Sequence, residues 1–206
     1  MRETDRRPIA ARNTGWALRC AQWLARSDIT PNQISVFSVA FAAAGAAALL
    51  NWPDWRGMGT CALCIVLRLS CNLFDGMVAL EAGRGATPIG AIYNDAPDRV
   101  ADVLFLVSLG HLAGCDWLGW LAALLAVLTA YIRVLGGTLG LAQDFRGPMA
   151  KPQRMWLMCG ALVAAALLPT HASSILLGAA ALIAAGCALT CVLRLRAISH
   201  ALRART

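Results

Sequence analysis

The chain has 206 residues, of which 59% are apolar and only 14% charged, with a formal net charge of +7. Soluble domains carry about 25% charged residues, so this composition excludes an ordinary water-soluble domain and points to a membrane protein. The positive charge calls for no nucleic acid, because most of it flanks apolar segments, where anionic lipid headgroups lie.

Windows of roughly 20 mostly apolar residues, enough to cross about 30 Å of hydrocarbon, fall near 33–51, 57–80, 90–113, 117–142, 155–169 and 174–193. They are continuous, not alternating, and only helices or closed barrels satisfy the backbone in lipid. The expected fold is all-α, a polytopic membrane protein with a six-transmembrane helix bundle and an N-terminal interfacial amphipathic helix. No cleavable signal peptide is expected. The first thirty residues carry six arginines and lack a short apolar core followed by small residues.

Residues 8–27 wind into a helix with Ile9, Ala10, Ala17, Cys20, Ala21 and Leu24 on one arc and Arg12, Arg19 and Arg26 opposite. That division places it in the interface plane. Thr30-Pro31-Asn32 then starts the first span, with Thr30 as N-cap and Pro31 at the first helical position. Asn32 sets an amide at the membrane entry.

The second and third spans hold the unusual chemistry. Asp75, Glu81, Asp95, Asp98 and Asp102, five of the eleven acids, fall between Arg68 and Asp102. A charge at a helix centre costs roughly 3 kcal/mol on insertion scales, so this stretch is the default functional site. At 100° per residue Arg68, Asn72, Asp75, Gly76 and Ala79 share one face of the second span. Gly90, Asn94, Asp98 and Asp102 recur every fourth residue in the third, with Asp95 on the flank and Pro97 expected to loosen the turn before it. Two such stripes joined by the loop 82–89 face each other across a gap that suits a hard cation such as Mg²⁺.

In the fourth span Arg133 needs an anionic partner if buried. Gly136 and Gly140 form a Gly-x₃-Gly pair of the kind that seats a partner helix. Arg146, Lys151 and Arg154 follow before the fifth span, and Arg194 to Arg205 come after the sixth. With Arg2 to Arg26 before the first span and Arg84 between the second and third, basic residues gather on one side and only Arg56 lies opposite. The positive-inside rule then puts both termini in the cytoplasm.

The tryptophans follow that geometry as anchors, Trp52, Trp55, Trp117 and Trp120 at the outer interface and Trp16, Trp23 and Trp156 at the inner one. Cys61-x₂-Cys64 invites a redox or metal reading. Six of the eight cysteines nevertheless fall inside spans, where cysteine behaves as a small hydrophobe, and no second pair with histidines completes a zinc site. His111, His171 and His200 are scattered, with none paired to a carboxylate at helical spacing.

The acidic stretch resembles the signature of the CDP-alcohol phosphatidyltransferase family, Asp-x₂-Asp-Gly-x₂-Ala-Arg-x₈-Gly-x₃-Asp-x₃-Asp. Asp75-Gly76, Ala79, Gly90 and Asp98 match it, as do the six-helix layout and the opening Thr30-Pro31-Asn32. The departures are Asn72 and Asn94 at two acidic positions, Leu80 for the Arg, and a gap to Gly90 one residue longer. Residues 146–154 look like a segment found in a subset of bacterial members.

The resemblance implies a family domain over 30–197, between a cytoplasmic segment 1–29 and a basic tail 198–206. It implies transfer of a phosphatidyl or related group from a CDP-linked lipid such as CDP-diacylglycerol to a polar alcohol, with release of CMP, in a homodimer. The membrane is the inner membrane of a bacterium, with the active site facing the cytoplasm. Asp98 matches the catalytic base. Asn72, Asp75, Asn94 and Asp98 match the positions that bind Mg²⁺ or Mn²⁺, and Asp95, Asp102 and, more weakly, Glu81 are candidates for the missing charge. The CDP-lipid set is Asn32, Asn72, Asp75, Gly76, Ala79, Gly90 and Arg84, the last in place of the absent Arg. Arg68, Arg133, Arg146, Lys151 and Arg154 are the acceptor set, for an alcohol bearing negative charge. A cation transporter would use the same acids but should show repeated halves or interrupted helices. A scaffold of the same fold would explain the two amides.

Overall fold

The computed structural model describes residues 15–27, 29–81 and 88–205. The described chain is all-helical: α1 Gly15–Ala25, α2 Pro31–Asn51, α3 Trp55–Glu81, α4 Pro88–Leu112, α5 Asp116–Thr138, α6 Lys151–Leu167 and α7 Ala172–Arg203, with a short 3₁₀ turn Pro169–His171 before α7. Arg84, Ile9 and the arginines before residue 15 lie outside the described residues, as does the side chain of Glu81.

Among the described residues, four helices are long and apolar enough to cross a membrane: α2, α3 over Trp55–Ala79, α5, and α7 with its preceding turn. α6 has only 17 residues, and α4 carries Asp95, Asp98, Arg99 and Asp102. This is the architecture of a polytopic membrane protein. The six helices close a ring in the order α2, α3, α6, α7, α5, α4, with α4 also touching α7 across the middle and α1 lying on α3. One apolar cluster fills the ring, with Ile65, Phe105, Leu106, Leu109, Met155, Met158, Leu162 and Ile183 at its centre.

Thr30 starts α2 as expected, and more completely. Its hydroxyl accepts from the Gln33 N–H at 3.3 Å while the Gln33 side chain accepts from the Thr30 N–H at 2.9 Å, a reciprocal capping box. α4 runs unbroken through Pro97. Where α4 and α5 cross, a Cβ on Gly110 would collide with the Gly119 backbone, so glycine permits the close approach.

Trp52, Trp55, Trp117 and Trp120 are all exposed at the end where α2 turns into α3 and α4 into α5, while Trp23 and Trp156 are exposed elsewhere. Cys61, Cys159 and Cys187 pack in the core as small hydrophobes. One expectation needs correction. Gly136 packs on Ile198 of α7 within this chain, and Gly140 lies beyond the end of α5 at φ +74°, so the pair does not form one helical stripe for a partner. His111 meets Asp116 at 3.0 Å across the α4–α5 turn, a contact outside helical spacing.

Candidate functional site

The polar stripes of α3 and α4 face each other, as their four-residue spacing requires. Asp98 is at the centre of the resulting network. Its Oδ1 accepts from Arg68 Nη2 at 2.5 Å, and its Oδ2 faces Lys151 Nζ at 2.5 Å and Arg99 Nη2 at 3.5 Å. Asn72, one turn beyond Arg68 on α3, brings its amide to the same place. With its oxygen toward the cations it accepts from Lys151 Nζ and, at 2.6 Å, from Arg68 Nη1. Asp75 is buried one turn on, its Oδ2 accepting from the Ser35 hydroxyl of α2 at 2.6 Å. Gly76 and Ala79 are half-buried on the same face of α3, and Gly90 and Asn32 are half-buried at the starts of α4 and α2.

The other candidates separate from this centre. Asn94 is exposed. Asp95 is drawn to Arg133, whose Nη2 lies 2.7 Å away, while Arg133 Nη1 donates to Gln143 at 3.1 Å. Asp102, proposed as a source of missing charge, is fully buried with its Oδ2 held by Arg154 Nη2 at 2.5 Å. That pair is sealed from any open site: Arg154 also donates to the Met149 carbonyl at 3.0 Å and is 1% exposed. Arg154 is therefore a bundle residue rather than an acceptor ligand, and Arg68 and Lys151 are committed to Asp98 and Asn72.

A cavity of about 260 Å³ opens between α5, the segment 141–146 and α7, with Arg133, Gln143, Asp144, Arg146 and Arg194 among its lining residues. Arg146 is exposed and paired with Asp144 at 2.8 Å. Arg194, counted from the sequence among the basic residues after the sixth span, lies within α7 and is buried, its Nε donating to the Arg146 carbonyl at 2.9 Å and its Nη1 to the Thr129 carbonyl at 2.7 Å. The recurrence of Cys187, Thr190, Cys191, Arg194 and Ile198 on one face was the signal for it. Ser35 and Arg99 were also missed. Nothing local marks a serine in an apolar helix as a carboxylate partner.

Asp75, Asn72 and Asp98 offer oxygen donors alone, the set a hard cation takes. They fit Mg²⁺ or Mn²⁺, at two formal charges fewer than four aspartates would supply. Because two motif positions are amides, no three His, Cys, Asp or Glu side chains converge among the described residues.

No family model matches the chain. It is similar to archaetidylinositol phosphate synthase of Aeropyrum pernix, 34% identical over 137 residues that span 65% of this chain and 66% of that protein. Its fold is that of Mycobacterium tuberculosis phosphatidylinositol phosphate synthase. The structure of that enzyme with CDP-DAG bound has a TM-score of 0.74 at 21% identity, over 88% of this chain and 92% of that one. Its complex with manganese and citrate has 0.73 at 20% identity, over 88% of each. The six-helix ring thus carries its polar motif on two helices, α3 and α4. The chain belongs to the CDP-alcohol phosphatidyltransferase family.

Proposed function

We propose that this protein transfers a phosphatidyl or related group from a CDP-linked lipid, such as CDP-diacylglycerol, to the hydroxyl of a phosphorylated polar alcohol, of which inositol phosphate is the leading candidate. The observation that carries this reading is the meeting of Asn72 on α3 with Asp98 on α4, with Asp75 buried one turn further along α3, at the motif positions of the family. Both similar enzymes are named as inositol phosphate lipid synthases.

In the reaction the acceptor oxygen bonds to the lipid-side phosphorus, the P–O bond to CMP breaks with its electron pair leaving on CMP, and the acceptor proton passes to Asp98. Asp75, Asn72 and Asp98, with Asn94 at the rim, would hold Mg²⁺ or Mn²⁺, which when bound offsets charge on the pyrophosphate. Ser35 fixes the Asp75 carboxylate from a third helix. Gly76, Ala79 and Gly90 let the nucleotide approach the backbone, with Asn32 and Arg84 as further contacts. Arg133, Arg146 and Arg194 line the cavity that suits the acceptor's phosphate.

The reading includes six membrane crossings over residues 30–197, a cytoplasmic segment 1–29 with its interfacial helix, and a basic cytoplasmic tail from 198. It also includes a homodimer in a bacterial inner membrane. Purified protein with labelled CDP-diacylglycerol, Mg²⁺ or Mn²⁺ and a panel of alcohols should release CMP, most with a phosphorylated polyol. No release with any alcohol leaves a scaffold. A reporter fused after Thr206 should be active only in the cytoplasm, and residues 170–173 should label from outside.

A further inference from the structure

Of the chain's 18 basic residues, only Lys151 is a lysine. Arginine presents a broad planar fork, whereas lysine presents a compact point charge on a flexible stem. In a chain that uses arginine everywhere else, the lysine stands where its ammonium meets both Asp98 Oδ2 and the Asn72 amide. The position is built. Lys151 is the first residue of α6, and the turn before it is pinned by the Met149 N–H on Thr190 Oγ1 at 3.1 Å and by Arg154 on the Met149 carbonyl.

Both oxygens of Asp98 are thereby occupied, one by Arg68 and one by Lys151. A divalent ion arriving at Asp98 meets the positive charge of these cations at contact distance. The Arg68 side chain is wholly buried, while that of Lys151 is 18% exposed at a helix start. Asn72 and Asn94 remove two negative charges from the motif, and Arg68 and Lys151 bring two positive ones against what remains.

We propose that Lys151 is the resident cation of this site, holding Asp98 and Asn72 in the place a divalent ion takes, so that metal binds weakly and only as Lys151 withdraws. The inference rests on the metal assignment made above, not on the transfer reaction. A like charge at contact distance repels a divalent ion even at an effective dielectric of about 20, so its removal should tighten metal binding by roughly tenfold or more.

The test is Mn²⁺ binding to the purified full chain, read by electron paramagnetic resonance, with CMP release measured separately. Lys151→Met, which keeps the stem and loses the charge, should bind Mn²⁺ at least tenfold more tightly than the native protein, and Lys151→Arg should stay weak. A folded Lys151→Met that binds no more tightly than native overturns the proposal. If Lys151→Met does not fold, amine acylation of the native protein decides. Labelling of Lys151, followed by mass spectrometry, should rise severalfold with Mn²⁺ at saturation; unchanged labelling overturns the proposal. Tighter Mn²⁺ binding in Lys151→Met, with no CMP release from the native protein, would remove the transferase reading alone. Release of CMP with no effect of Lys151 on Mn²⁺ would remove this inference alone.

Discussion

α4 carries two aspartates one turn apart, each bound to a buried arginine at 2.5 Å, and they do different work. Asp102 and Arg154 are 0% and 1% exposed, and their neighbours are a backbone carbonyl and the core. Asp98 also meets Arg68, but it is shared with Lys151, Arg99 and Asn72 and reaches the polar gap between α3 and α4. The same ion pair is thus a sealed bundle fastener at one level of the helix and part of a shared network a turn away. What separates them is access and the number of competing partners, not the strength of the single contact.

The largest effect should come from Asp98→Asn. The amide keeps the shape and loses the basicity, so CMP release should fall about 10²–10⁴-fold while the protein still purifies and melts cooperatively. Two of the cations around Asp98 are open to solvent at 18% and 24%, which limits the structural cost. Turnover near the native rate would remove Asp98 as the base.

Arg154→Ala should invert that pattern. It leaves Asp102 charged and unpaired in the core, a loss of about 3–5 kcal/mol, whereas replacing both partners by apolar residues, as in Arg154→Met with Asp102→Leu, should recover much of it. Thermal melting in detergent reads both. A single mutant that is stable but inactive would place Arg154 in the site after all.

The two pairs also show what a sequence tells. The stripe 90, 94, 98, 102 and the stripe 68, 72, 75, 76, 79 were legible because helical period fixes which side chains share a face, and the start of α2 was legible because Thr and Pro carry local capping chemistry. Partners across the bundle were not. Arg154 and Lys151 read as loop charges set by topology, and nothing local assigns one to Asp102 and the other to Asp98, about fifty residues earlier. Arg194 was hidden in the same way, inside a basic run that the positive-inside rule explained by itself. The pattern of charge marked the candidate site, but only packing separated the sealed ion pair from the network shared among several partners.

Arg133→Ala probes the acceptor cavity, a step further from the centre. Its partner Asp95 is 43% exposed, so the structural cost should be small. The lost phosphate contact should appear as a rise of about tenfold in the acceptor's KM with the donor's little changed. Equal KM for charged and neutral alcohols in this variant and in the native protein would move acceptor recognition elsewhere.

The smallest effect is expected from Arg99→Ala, which sharpens the comparison from the exposed side. Arg99 approaches Asp98 Oδ2 at 3.5 Å, the longest of the three cation contacts, and its Nε donates to the Asp95 carbonyl at 3.3 Å in its own helix. Its side chain is 24% exposed, against 0% for Arg68. An ion pair with that much water beside it contributes about 0–1 kcal/mol and weakens with salt. The variant should therefore melt close to the native protein and retain transfer within severalfold, and whatever difference remains should shrink as ionic strength rises. A loss as large as that of Asp98→Asn, independent of salt, would mean that Asp98 is enclosed on every side, and access would no longer separate it from Asp102.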